Sequence, residues 1–170
     1  HSVNLFPISG ANASKPILWP AEKLGRWAPI RDQKVAVLGL GETGLAAALF
    51  LKRKGFSIFV SEFQVSDALE GRAARLREEA IPFELGRHSL EKIGKSDWAV
   101  ISPGIPPTAE VYQFLQKEQI PMVSEVEVAS WFSPGKVTAV TGTSGKTTMV
   151  TLLERSFHAN GRPALACGNI

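Results

Sequence analysis

A chain of 170 residues has room for one domain, or for one domain and part of another. Hydrophobic residues make up 44% and charged residues 21%, a balance that excludes a disordered chain. The formal net charge is +3, from 19 basic and 16 acidic residues, with no basic run or aromatic-studded basic stripe, which argues against a nucleic-acid surface. A single anionic small molecule remains open, because one Lys and a few backbone amides suffice to hold a phosphate. Cys167 is the only cysteine, so no intramolecular disulfide can form. It reads as a small apolar residue in a strand, in a reducing compartment. His1, His88 and His158 are scattered without metal-ligand spacing. No apolar run approaches the roughly 18 residues that cross a bilayer. The N-terminus lacks the basic-then-apolar pattern of a signal peptide, so a soluble, cytoplasmic protein without a membrane partner is expected.

Residues 1–33 show no periodicity and carry Pro7, Pro16, Pro20 and Pro29, which reads as a lead-in arm. From Lys34 the pattern changes. Val35-Ala36-Val37-Leu38 is a short apolar run of the kind buried on both faces of a sheet. Gly39-Leu40-Gly41-Glu42-Thr43-Gly44 follows, then a helical stretch to residue 54 closed by Gly55, then a strand over 57–60. Strand, glycine turn, helix and strand make a βαβ unit. The alternation continues with a helix over 67–80, whose Arg72, Arg75, Arg77, Glu78 and Glu79 read as a solvated face. Next come a strand over 82–85, a brief helix over 89–95 and the strand Trp98-Ala99-Val100-Ile101. An amphipathic helix over 108–119, a strand over 121–124 and a short helix over 126–132 complete the series. This order predicts an α/β fold with a Rossmann-like, doubly wound, mainly parallel sheet over 34–133.

Ser133-Pro134-Gly135-Lys136 reads as a linker, after which a second βαβ begins. It comprises a strand over 137–141, a loop over 142–146, a helix over 147–160 capped by Gly161, and a strand over 163–166. Two strands and one helix are too little to bury a core, so 134–170 is expected to be the start of a second, P-loop domain.

The loop Thr141-Gly142-Thr143-Ser144-Gly145-Lys146-Thr147-Thr148 lies between an apolar strand and an amphipathic helix, the context a phosphate loop requires. Its glycines let successive N–H groups curl toward phosphate oxygens, and the helix N-terminus adds partial positive charge. Gly142, Thr143, Ser144, Gly145, Lys146, Thr147 and Thr148 are thus candidate ATP-binding residues. Lys146 would reach the β- and γ-phosphates, and the Thr147 hydroxyl would ligate Mg²⁺, which makes these two the candidate catalytic residues. The longer G-x-x-x-x-G-K-[ST] pattern would place its first glycine at Val140, so a shorter loop does the cradling. A Gly-Ser-rich turn that binds nothing is the bland alternative.

The first glycine loop fits G-x-G-x-x-G in the strand–helix context, and Glu62 follows Gly41 by 21 residues at a strand end. By itself this reports only a nucleotide pyrophosphate. It permits the NAD(P)-binding domain of an oxidoreductase, and Glu62 has its own bland reading as a solvated carboxylate.

The shorter loop Gly142 to Thr148 resembles that of the Mur ligases and of the folylpolyglutamate synthetases. The resemblance extends along the chain. Ser102-Pro103-Gly104-Ile105 resembles the Ser-Pro-Gly-Ile turn of the D-glutamate-adding branch of the Mur ligases. Ser124-Glu125-Val126-Glu127-Val128 resembles the segment leading into the central domain of that branch, and Gly168-Asn169-Ile170 its Gly-Asn-Ile. The alanine-adding branch, the sibling alternative, usually has His where Ser144 stands. The resemblance implies an enzyme of peptidoglycan synthesis that uses ATP and Mg²⁺ to phosphorylate the carboxylate of UDP-N-acetylmuramoyl-L-alanine and passes the acyl group to D-glutamate. It assigns Gly41, Glu42, Thr43, Gly44, Glu62, Ser102, Pro103, Gly104 and Asn169 to the UDP-linked substrate. Phe63-Gln64 departs from the Thr-Arg expected beside the acidic residue. It also implies that most of the catalytic groups lie beyond residue 170, so the chain by itself is expected to be inactive.

Overall fold

A computed structural model describes residues 32–133 and 136–168. They divide into two compact units, one ending at Phe132 and the other continuing from Ser133. The predicted arm lies outside the described residues, apart from Asp32 and Gln33.

In the first unit five strands form one parallel sheet: β1 (Lys34–Leu38), β2 (Ser57–Glu62), β3 (Phe83–Leu85), β4 (Trp98–Ile101) and β5 (Met122–Val123). Their order is β3-β2-β1-β4-β5, with Val35 opposite both Ile58 and Trp98 in the ladders flanking β1. Helices α1 (Glu42–Arg53), α2 (Asp67–Glu78), α3 (Leu90–Ile93), α4 (Glu110–Lys117) and α5 (Glu125–Phe132) alternate with the strands. Parallel strands force this arrangement, since each needs a crossover and each crossover covers a face.

The apolar run of β1 divides by period two, and that division builds the two cores. Val35 and Val37 pack with Ala48, Leu51, Leu69, Leu76 and Trp98 on one face. Ala36 and Leu38 pack with Ile93, Val111 and Leu115 on the other. Both faces of β1 are therefore dry, and all four residues from Val35 to Leu38 are at most 1% exposed. Among the described residues Trp98 is the largest fully buried side chain, set edge-on against Phe56 and Trp131 at 5.8 and 5.7 Å between centroids.

One buried polar cluster interrupts this core at the ends of β2 and β3. Glu84 is 7% exposed, and its Oε1 accepts from Ser89 N–H at 2.6 Å and from Ser61 Oγ at 2.9 Å. Its Oε2 accepts from Ser89 Oγ at 2.6 Å and from Lys92 Nζ at 3.4 Å. Burial pushes the Glu84 carboxyl up, but the hydrogen bonds from Ser89, Ser61 and Lys92 together outweigh it and leave the pKa below 4.5. His88 Nδ1 lies 2.8 Å from Ser61 Oγ. Ser61 has one hydroxyl hydrogen and a carboxylate only accepts, so Nδ1 carries the imidazole proton and donates. Burial holds the His88 pKa below 6.5 despite the pull of the Glu62 and Glu84 charges.

The second unit is built differently from the sequence expectation. Its helix α6 (Lys146–Ala159) forms, but neither residues 137–141 nor residues 163–166 make a strand. The backbone of 163–166 bonds instead to the helix: Ala166 N–H donates to Glu154 Oε1 at 2.7 Å, and His158 Nε2 to Ala164 O at 2.8 Å. A strand is stable only where neighbours take its N–H and C=O groups, and here helix side chains take them. No described residue of 136–168 is buried; Leu152 is 52% and Leu165 84% exposed, and Cys167 is exposed rather than set in a strand. Among the described residues no helix is long and apolar enough to cross a membrane.

Two expectations follow. His88 and Glu84 both have folded pKa values below their ordinary ones, so the folded state binds fewer protons than the unfolded. Stability should therefore fall on acidification, first as pH drops below about 6.5 through His88, then below about 4.5 with a contribution from Glu84. Thermal melts between pH 7.5 and 4 should show the upper step in the native chain and lose it in His88→Gln; an unchanged profile would refute this assignment. The second expectation concerns the exposed unit: hydrogen exchange should be faster at the amides of α6 than at those of β1 and β4. Equal protection would show that the apolar side of α6 is covered.

Candidate functional site

The chain leaves β1 through a turn crowded by its own backbone. Gly39 takes φ +99°, in the left-handed region, and its N–H donates to Ser61 O at 2.9 Å. A Cβ on Gly39 would stand 2.8 Å from Ser102 Cβ, and one on Gly44 would drive into the Gly39 carbonyl oxygen. These two glycines let the start of α1 fold down beside the ends of β1 and β4. Gly41 differs from them. Its φ is −67°, and nothing lies within 4 Å of the place a Cβ would occupy. Packing within the protein gives no reason for glycine there; what its hydrogen leaves is open space before a helix N-terminus.

That N-terminus has no side-chain cap, because Gly41 is the N-cap residue. The backbone amides of Glu42, Thr43 and Gly44 form the first turn, with the positive end of the helix dipole behind them. Glu62 braces the loop from β2: its Oε2 accepts from Leu40 N–H at 2.7 Å and its Oε1 from Gln64 N–H at 2.8 Å. Phe63, between them in sequence, is 65% exposed, with its ring 5.8 Å from the His88 ring. From β4, Ser102 N–H donates to Leu38 O at 3.0 Å, and a turn follows in which Ile105 N–H donates to Ser102 O.

The structure thus brings Gly41, Glu42, Thr43, Gly44, Glu62, Ser102, Pro103 and Gly104 to the carboxyl edge of β1, β2 and β4. This edge includes the point where strand order reverses between β1 and β4, the usual crevice of open α/β sheets. Asn169 lies outside the described residues. One contact at this edge has no signal of its own in the sequence: Thr43 Oγ1 donates to Glu125 Oε1 at 3.0 Å, across 82 residues. Only the Ser-x-x-Glu pattern at Ser124 and Glu127, a capping box that marks where α5 starts, was a readable signal.

The second glycine loop stands on the other unit. Gly145 takes φ +75° as the N-cap of α6, again without a side-chain cap, so the amides of Lys146, Thr147 and Thr148 form an open first turn. Lys146 Nζ donates to Gly142 O at 2.6 Å, folding over the loop. Gly142, Thr143, Ser144, Gly145, Lys146, Thr147 and Thr148 are all exposed. Among the described residues no group of three or more His, Cys, Asp or Glu side chains could hold a metal ion.

Comparison with known proteins agrees with this architecture. The family described as Mur ligase MurD-like, N-terminal domain, matches residues 33–124. A UDP-N-acetylmuramoylalanine--D-glutamate ligase of Chloroherpeton thalassium is 42% identical over 145 residues, 83% of this chain and 31% of that protein. A protein of the same name from Pelodictyon phaeoclathratiforme is 45% identical over 145 residues, with the same coverage of each chain. Among solved structures, a pseudomurein peptide ligase type C from Methanothermus fervidus superposes with a TM-score of 0.52 at 27% identity, over 76% of this chain and 27% of that one. The chain spans about a third of the length of the curated relatives it matches. The family match runs from just before β1 to the residue that caps α5, taking in the whole sheet and both loops at its reversal point, and by it this chain belongs to the Mur ligases, in their MurD-like branch.

Proposed function

We propose that the first unit holds the UDP part of UDP-N-acetylmuramoyl-L-alanine, and that the whole protein is an ATP-dependent ligase joining this precursor to D-glutamate in peptidoglycan synthesis. The observation that carries the reading is Gly41, a glycine with an ordinary φ and empty space before it, opening an uncapped helix. Such a position suits a diphosphate: backbone can approach it closely, and the amides of Glu42, Thr43 and Gly44 meet it with the helix dipole behind. The names of the relatives supply the sugar and the amino acids. The rival NAD reading asks Glu62 to hold a ribose. The two backbone N–H groups on its oxygens make it a brace and leave acceptor sites for a hydroxyl of either ligand. The support for UDP over NAD therefore comes from the family match.

On this reading residues 34–133 are the UDP-substrate domain, preceded by the arm at 1–33, and 134–170 open the ATP-binding domain. The second loop fits that role through its left-handed Gly145 and open first turn. Lys146 brings a point charge to the β- and γ-phosphates once its Nζ leaves the Gly142 carbonyl, and Thr147 offers its hydroxyl to Mg²⁺. Mg²⁺ keeps waters and takes phosphate oxygens, so it asks few ligands of the protein. In the full reaction a substrate carboxylate oxygen attacks the γ-phosphorus and ADP leaves; the D-glutamate amine then attacks the acyl carbon and phosphate leaves. Positioning and charge neutralisation are the protein's share. A cytoplasmic location goes with these substrates.

Isothermal titration of this chain should show binding of UDP and of UDP-N-acetylmuramoyl-L-alanine, and none of NAD. Binding of NAD without a UDP response would overturn the reading. Two glycine variants separate ligand from fold. Gly41→Ala should cost no more than about 1 kcal/mol of stability, the value of a poorer N-cap. It should nevertheless weaken UDP at least about tenfold, some 1.4 kcal/mol. Gly44→Ala should cost about 1–3 kcal/mol of stability or more, because backbone must move to admit the methyl group.

A further inference from the structure

Two helices begin side by side at the carboxyl edge of the sheet. Helix α1 starts behind Gly41, and α5 starts behind Ser124. The start of α5 is fixed by its reciprocal box: Ser124 N–H donates to Glu127 Oε2 at 2.8 Å, and Glu127 N–H to Ser124 Oγ at 3.2 Å. At their far ends the same two helices meet through Phe50 and Phe132, edge-on at 5.0 Å between centroids. The backbone of Glu125 is thus held in place, while its side chain reaches the first turn of α1 and accepts the Thr43 hydroxyl at 3.0 Å.

This contact places a carboxylate where the proposed diphosphate would lie. Thr43 has one hydroxyl hydrogen, and it can go to Glu125 or to a phosphate oxygen, not to both at once. A phosphate beside an ionised carboxylate is also repelled, and both would compete for the positive end of the same helix. Glu42 adds a second carboxylate in that first turn, but it is exposed and has no partner in the loop among the described residues.

We infer that Glu125 is a displaceable anion: it holds the Thr43 hydroxyl in the free protein and is expelled when a nucleoside diphosphate enters the glycine loop. The inference rests on the reading of that loop as a UDP site. Its consequence is that substrate occupancy is felt by the first turn of α5, the last element before residue 133. Discrimination follows too, since only a ligand bringing phosphate charge to Thr43 dislodges the carboxylate.

The test compares UDP, inorganic diphosphate and uridine as probes, by titration calorimetry at one low salt concentration. Glu125→Gln keeps an acceptor for Thr43 but removes the charge; Glu125→Ala removes both. Both variants should bind UDP and diphosphate about three- to tenfold more tightly than the native chain, the size of a relieved repulsion near a protein surface. Uridine should bind all three proteins alike. Added salt should narrow the gap by screening the charge. If native protein binds UDP and neither variant binds it more tightly, the displaceable-anion role is overturned while the UDP site stands. If native protein and both variants ignore UDP and diphosphate alike, the reading of the loop fails and this role fails with it. A gain for uridine equal to that for UDP would point to a general loosening of the loop and overturn the role as well.

Discussion

Everything at the carboxyl edge depends on one close approach, that of the Gly44 α-carbon to the Gly39 carbonyl. No side-chain carbon fits between them, and Gly39 itself is pressed against Ser102 of the neighbouring strand's exit. The contact folds the first turn of α1 down over the end of β1, so the open amides of Glu42, Thr43 and Gly44 stand above the point where strand order reverses. Glu62 then ties the loop sideways to β2 through Leu40. A larger residue at either glycine would tilt the helix away, and the cradle would lose its floor before it lost any group that touches a ligand.

The two glycine loops of the chain show how much depends on what lies beneath such a turn. Both have an uncapped helix behind a glycine, and both present three successive amides. The first rests on a strand whose last four residues, Val35 to Leu38, are at most 1% exposed, with ladders on both sides. The second stands on a unit with no buried residue among those described, and its own lysine closes over it. The chemistry of a phosphate loop can be written in eight residues, whereas its rigidity comes from the sheet beneath it.

Legibility from sequence follows the same division. Every strand of the first sheet was readable, because apolar runs such as Val35 to Leu38 and Trp98 to Ile101 admit few other structures. Helix ends moved by one or two residues, as with α2, which stops at Glu78 where the alanine and charge pattern ran on to Ala80. The strands read over 137–141 and 163–166 did not form, for periodicity says that a segment can pair and is silent about what pairs with it. The polar cluster was invisible for a related reason. Glu84 and His88 are separated by 23 and 27 residues from the Ser61 hydroxyl they share, and each of the three reads in sequence as an ordinary polar residue in a loop or strand end. Glu125 stands in the sequence within the segment Ser124 to Val128 that resembles the approach to a central domain, and nothing local foretells that its carboxylate meets Thr43.

The aromatic stack in the core has an optical consequence. Trp98 and Trp131 stand 5.7 Å apart at 68°, one fully buried in β4 and the other half-buried on α5. Two indoles at that distance and angle couple their strong far-ultraviolet transitions, which gives the folded unit a circular-dichroism signature absent from either ring alone. The signature depends on the seating of α5 against β4, the same helix whose first residue reaches the glycine loop. The protein therefore contains, without any label, a chromophore pair that reports the position of the element joining the sheet to the rest of the chain.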